Sequence, residues 1–200
     1  MIRAVVFDIG NVLIAWHPER FYDRAIGEDR RRALFAAVDL HKMHDAVDRG
    51  GDLTTVVQDC ARSHPEWAAE ILLWRDNWLD LVGPVIDGSV AVLRALKATG
   101  VPVFALSNFG RGTFQMALPL YPVLAEFDRT YLSGDMGVNK PEAEIYRRVE
   151  EDCGLAPEAL LFTDDRAENI DAATARGWQT HLFDGPEGFR TRLQQEGLLP

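Results

Sequence analysis

The run Ala4-Val5-Val6-Phe7 ends on Asp8 and opens at once into a turn, Ile9-Gly10-Asn11-Val12. A short apolar run of this kind reads as a buried parallel strand, and the carboxyl end of such a strand is where open α/β sheets bind ligands. An unpaired buried charge is costly, so a carboxylate placed there needs partners. Three other segments supply polar groups in the same way. Ser107-Asn108 and Asp164-Asp165 close apolar runs, and Lys140 stands just ahead of a helical pattern.

Around these tips, apolar runs alternate with helical periodicity, which predicts βαβ units and a parallel sheet. The predicted strands are Arg3–Asp8, Val101–Ser107, Arg129–Leu132, Leu160–Thr163 and Trp178–Phe183. The predicted helices are Gly88–Thr99, Gly112–Leu118, Pro141–Cys153, Ala167–Arg176 and Gly188–Gln195. Pro141 and Pro186 suit helix starts, and Gly100, Gly154 and Gly177 suit helix ends. Residues 16–82 break this rhythm and contain no convincing strand. They read as helices over Pro18–Ala25, Asp29–Val38, Leu53–Ser63 and Pro65–Leu81, with Asp52 or Thr54 as a cap after the breaker pair Gly50-Gly51. The segment is too long for a crossover loop. The predicted architecture is a three-layer, Rossmann-like α/β core of residues 1–15 and 83–200, with a small all-helical cap of residues 16–82 inserted after the first strand.

The net charge of -10 argues against a nucleic-acid partner, which wants a basic face. It also gives an anionic ligand no long-range attraction, so any anion site must be locally positive. No apolar run approaches the ~20 residues of a membrane span. Asp8 interrupts the first apolar stretch, which does not suit a signal peptide. Cys60 and Cys153 lie far apart and outside any C-x-x-C, as reduced core thiols do. The expected location is the cytoplasm.

Two adjacent carboxylates at a buried strand end repel each other unless a cation accompanies them. Hard oxygen ligands suit Mg²⁺, which takes one or two carboxylates and keeps several waters; Asp8 is the natural third. Capping of the helix near Ala167 accounts for one of Asp164 and Asp165 but hardly both. The Lys140 ammonium would restrain the Asp8 carboxylate and offset anionic charge, and the Ser107 hydroxyl with the Asn108 N–H can hold one phosphoryl oxygen. Asp8, Asp164 and Asp165 carry -3; Mg²⁺ and Lys140 carry +3. The balanced pocket accepts a phosphate dianion, whereas the metal-free one stands near -2 and repels it.

In order, Asp8-Ile9-Gly10-Asn11-Val12, Leu106-Ser107-Asn108, Lys140-Pro141 and Phe162-Thr163-Asp164-Asp165 resemble the four motifs of the haloacid dehalogenase-like hydrolase superfamily. The runs Lys140–Tyr146 and Asp164–Asn169 add to the likeness, which covers nearly the whole chain. The resemblance implies a Mg²⁺-dependent phosphatase acting on a small phosphorylated metabolite. Asp8 would form an aspartyl-phosphate that water hydrolyses. Asp8, the Gly10 carbonyl and Asp165 would hold the metal, with Asp164 direct or through water. Ser107, Asn108 and Lys140 would hold the phosphoryl oxygens.

Many phosphatases of the family carry a second Asp two positions after the nucleophile; Gly10 stands there in this chain. The Asp-x-Gly-Asn-Val form looks like a subgroup that includes sugar-phosphate phosphatases. It leaves the proton donor unassigned. It predicts either a preference for good leaving groups, such as sugar 1-phosphates or aryl phosphates, or a proton borrowed from a cap residue or water. His17, after Trp16 at the entry to the cap, is a donor candidate or a plain hinge histidine. His41 and His44 lack an evident third metal ligand. Trp67, Trp74 and Trp78 recur at helical spacing as the apolar spine of the cap, with a minority reading in which one of them packs on the leaving group. Two rivals stand beside the phosphatase: a metal-independent 2-haloacid dehalogenase on the same fold, and a catalytically weak phospho-ligand-binding regulatory protein.

Overall fold

A computed structural model describes all 200 residues, Met1–Pro200. Chain order begins with β1 (Ala4–Phe7) and β2 (Ile14–Trp16). Five helices follow: α1 (Pro18–Ile26), α2 (Glu28–Ala37), α3 (Leu40–Asp48), α4 (Leu53–Ser63) and α5 (Ala68–Asp76). The chain returns through β3 (Val82–Val85), α6 (Asp87–Ala98), β4 (Val103–Ser107), α7 (Arg111–Ala117), β5 (Arg129–Leu132) and the short α8 (Ser133–Met136). It finishes with α9 (Ala143–Cys153), β6 (Leu160–Asp164), α10 (Ala167–Ala175), β7 (Gln179–Leu182) and α11 (Pro186–Gln195).

Five strands form a parallel sheet in the order β5-β4-β1-β6-β7. The chain crosses from the centre to one side and then to the other, so β1 lies at the switch point of the sheet. Period-two alternation sends β1 into two cores. Val5 and Phe7 join a large apolar cluster with α6 and α11, while Ala4 and Val6 join a smaller one with α9 and α10. Burial on both faces is why the strands read as unbroken apolar runs and why the first polar residue marks the rim.

The helical segment shares the larger cluster with the sheet. Leu34, Val57 and Trp74 belong to the same connected set as Phe7 and Val103, and the Trp78 and Phe109 rings meet at 5.8 Å. Trp74 and Trp78 are buried, while Trp67 lies partly buried beneath the Arg30 guanidinium.

Several details differ from the sequence expectations. The entry and exit of the helical segment pair with each other as an antiparallel ribbon, β2 with β3, so Trp16 and Val82 are strand residues. The predicted helix Pro65–Leu81 divides into 3-10 turns flanking α5. Helix α3, capped by the Asp39 side chain on the Lys42 N–H, was not among the predicted helices. Asp52 does cap α4, accepting from the Thr55 N–H at 2.9 Å. Pro186 opens α11 as expected, but α9 starts at Ala143 rather than Pro141. Lys140 and Pro141 lie instead in a turn that the Glu142 N–H closes on the Asn139 carbonyl at 2.9 Å, with Glu142, at φ -61° and ψ 128°, the residue before the helix; the Asn108 side chain accepts from the Lys140 N–H at 2.7 Å and donates to its carbonyl at 3.0 Å.

Candidate active site

Parallel pairing brings the tips of β1, β4 and β6 side by side, and their last residues converge. Asp8 follows β1 directly, its N–H bonded to the Thr163 carbonyl of β6 at 2.9 Å. Its Oδ1 accepts from the Ile9 N–H at 2.7 Å and faces Lys140 Nζ at 2.9 Å. Lys140 Nζ also donates to Asp164 Oδ2 at 2.6 Å. The ammonium therefore bridges two carboxylates, and its side chain is 1% exposed. Burial alone would lower the Lys140 pKa; Asp164 and Asp8 hold it above the ordinary lysine value.

Asp164 is saturated. Its oxygens also accept from the Arg166 N–H at 2.8 Å and from Asn169 Nδ2 at 2.9 and 3.0 Å. Asp165, half-buried, keeps one side-chain bond, from Asn11 Nδ2 at 3.1 Å. Burial first, and then Asp164, push its carboxyl up. One oxygen from each of Asp8, Asp164 and Asp165 falls within 4.8 Å of the others. Lys140 offsets one of these three charges, and a hard, oxygen-seeking divalent cation fits what remains. The Ser107 hydroxyl faces Asp8 and pulls its pKa down.

Asn11 and Asn169 position this set, and no role for either was read from the sequence. Asn11 sits at φ 55°, in the left-handed region that Asn tolerates better than most residues. That turn lets Asn11 Oδ1 accept from the Trp16 N–H at 2.9 Å while Nδ2 reaches Asp165. An Asn beside a Gly in a tight turn was the available signal.

These groups floor a cavity of about 180 Å³. Its opposite wall comes from the helical segment: Trp16, His41, His44, Asp45, Asp48 and Trp78. Trp78 thus does face the site, whereas Trp67 and Trp74 are not part of the wall. His17 is not among the lining residues, and its donor role gains no support. His41 Nε2 is taken by Glu19 at 2.9 Å and His44 Nδ1 by the Trp74 indole N–H at 3.2 Å, so neither offers that nitrogen to a metal. The charge count from the strand tips omitted Asp45 and Asp48.

Burial, opposed by Lys140 and helped by Asp164, pushes the Asp8 pKa up to about 6 from the ordinary 3.8. A carboxyl that binds its proton more tightly folded than unfolded gives stability that is full below the unfolded pKa and is lost as pH rises through the folded one. In chelator, the melting temperature should therefore fall relative to Asp8→Asn as pH rises from about 4 to about 6. A difference that stays flat across that window would contradict the assigned environment.

A parallel sheet that gathers a carboxylate, a buried lysine and an acidic pair at its strand tips defines an α/β protein with a charged pocket at the ligand-binding edge of its sheet. The model of the haloacid dehalogenase-like hydrolase family matches residues 2–177, and the chain belongs to that family. It is 30% identical over 196 residues to drimenol cyclase drtB of Aspergillus calidoustus, covering 96% of this chain but 36% of that protein. It is 27% identical to enolase-phosphatase E1 of Erwinia tasmaniensis, over 98% of this chain and 94% of the relative. Among solved structures, a HAD family enzyme from Bacteroides thetaiotaomicron, in complex with magnesium and inorganic phosphate, shares the fold with a TM-score of 0.72. That pair is 23% identical and covers 92% of this chain and 96% of the other. No helix is long and apolar enough to cross a membrane.

Proposed function

We propose that this hydrolase is a Mg²⁺-dependent phosphatase that cleaves a small phosphate monoester, with a sugar phosphate as the favoured class, through an aspartyl-phosphate on Asp8. The observation that carries this reading is the Asp8–Lys140–Asp164 bridge with Asp165 beside it, since three clustered carboxylates against one ammonium leave a site near -2. Such a site repels a dianion until a divalent cation joins it. The likeness to an enolase-phosphatase and to a neighbour holding magnesium and inorganic phosphate supports the same chemistry.

Asp8, Asp165 and the Gly10 carbonyl would hold Mg²⁺, with Asp164, its oxygens already taken, acting through water. The ion supplies positive charge against the phosphoryl oxygens. Lys140, Ser107 and the Asn108 N–H bind those oxygens and align phosphorus with Asp8, so catalysis here is positioning and charge stabilisation. The residues 16–82 act as the cap that selects the alcohol part, through Trp16, Trp78 and the α3 acids that face the cavity.

A panel of phosphate esters assayed with and without Mg²⁺ tests the reading. Turnover should drop to background in excess chelator. Asp165→Asn should raise the Mg²⁺ concentration for half-maximal rate at least about tenfold. Halide release from 2-chloropropionate in chelator, without phosphate release, would instead select the dehalogenase chemistry.

A further inference from the structure

Helix α3 reaches the rim of the sheet, and its last residue, Asp48, lines the same cavity as Asp8, Ser107 and Lys140. The Asp48 side chain is 12% exposed. Main-chain contacts place it. The Ser133 hydroxyl donates to the Asp48 carbonyl and accepts from the Phe109 N–H at 2.9 Å, which ties α3 to the loop after β4. A Cβ on Gly50 would stand 2.8 Å from the Gly134 carbonyl oxygen, and a Cβ on Gly110 would stand 2.7 Å from that of Val47. The backbone on both sides of Asp48 therefore lies directly on the core, with no side chain between.

A neutral histidine also stands beside the carboxyl. Trp74 donates its indole N–H to His44 Nδ1, which leaves the ring proton on Nε2, 3.6 Å from Asp48 Oδ1. Burial drops the His44 pKa to about 3, so the ring is neutral and stays in that tautomer.

Cleavage of an alkyl phosphate needs a proton at the departing oxygen, and Gly10 cannot provide one. Lys140 is committed to two carboxylates, and Asp45 is exposed. We propose that Asp48, on α3, is the proton donor and acceptor of the two-step hydrolysis. The inference rests on the phosphatase reading. As Asp8 attacks phosphorus, the bond from phosphorus to the leaving oxygen breaks, and that oxygen keeps the electron pair and takes the Asp48 proton. The alcohol departs. The Asp48 carboxylate next removes a proton from water, whose oxygen attacks phosphorus. The bond from phosphorus to Asp8 breaks with its electron pair returning to the carboxylate. Phosphate leaves, and Asp48 is protonated again. Burial, aided by Asp45, holds the Asp48 carboxyl well above the usual range, which favours its protonated form.

The test compares an alkyl phosphate with 2,4-dinitrophenyl phosphate in the intact enzyme, Asp48→Asn and Asp48→Glu, all with Mg²⁺. Asp48→Asn should lose roughly 10²–10⁴-fold on the alkyl ester. On the dinitrophenyl ester it should release one rapid equivalent of phenol and then stall, because the first step needs no acid and the second still needs a base. Asp48→Glu should recover part of the alkyl activity. Equal losses on both esters without the rapid equivalent overturn the proposal, as does no loss. If Asp48→Asn does not fold, the intact enzyme decides: kcat/KM nearly independent of leaving-group pKa supports the proposal, and a steep dependence overturns it. Failure of the intact enzyme on both esters would remove the phosphatase reading itself, whereas a failure confined to the variants leaves that reading standing.

Discussion

Asp8→Asn is expected to lower phosphate release from every ester by roughly 10⁴-fold or more while leaving the protein folded. The amide is nearly isosteric but is a far poorer nucleophile. Ile9 and Lys140 both engage Asp8 through Oδ1, which leaves Oδ2 the less encumbered oxygen for attack on phosphorus. Lys140 keeps Asp164 as a partner in the variant, so no buried cation is orphaned. Acid-quenched samples of the intact enzyme, mixed with ³²P-labelled substrate, should contain protein-bound phosphate that the variant lacks. Hydrolysis undiminished in Asp8→Asn would end the proposed mechanism.

The second large effect concerns stability. Lys140→Met removes an ammonium that is wholly buried between two carboxylates. Breaking a buried pair from one side strands the charge left behind and costs about 3–5 kcal/mol. Two stranded carboxylates put the variant at the upper part of that range. For a chain of this length the melting temperature should drop on the order of 10 °C. Millimolar Mg²⁺ should recover part of the drop by supplying another cation. Adding Asp164→Asn should recover part by removing one of the stranded charges. A Lys140→Met protein that melts like the parent in chelator would mean that the three groups do not share a buried site.

Much of the site was legible in the sequence because the sheet is buried on both faces. Along β1, β4 and β6 nearly every residue is apolar, so Asp8, Ser107 and Asp164 stand out as the points where the chain meets the ligand face. Lys140 was legible for a weaker reason, its place before a helix, and the expected helix start at Pro141 was two residues early. A turn closed by the Glu142 N–H on the Asn139 carbonyl precedes the helix, and the Asn108 side chain that holds Lys140 beside it acts across 32 residues and leaves no local trace. Of the opposite wall, only the tryptophan stripe gave a hint, and it did not single out Trp78. Trp16 and Trp78 belong to stretches that look like ordinary core, and Asp48 looks like one more surface acid on an amphipathic helix. What distinguishes Asp48 is its surroundings: Ser133 bonds its carbonyl, and Gly110 and Gly134 pack against the backbone at Val47 and Gly50 on either side of it, all from distant parts of the chain. Tertiary proximity of this kind has no periodicity. The paired β2 and β3 were missed for a related reason. Each is too short to show alternation, and their partnership spans the whole helical segment.

That ribbon has a mechanical consequence. Both covalent crossings between the helices and the sheet are hydrogen-bonded to each other, so the helical unit joins the sheet through one two-stranded strap instead of two independent threads. With both crossings joined, the α3 terminus keeps one seat against Gly110 and Gly134, which fixes how the groups it carries stand over the strand tips.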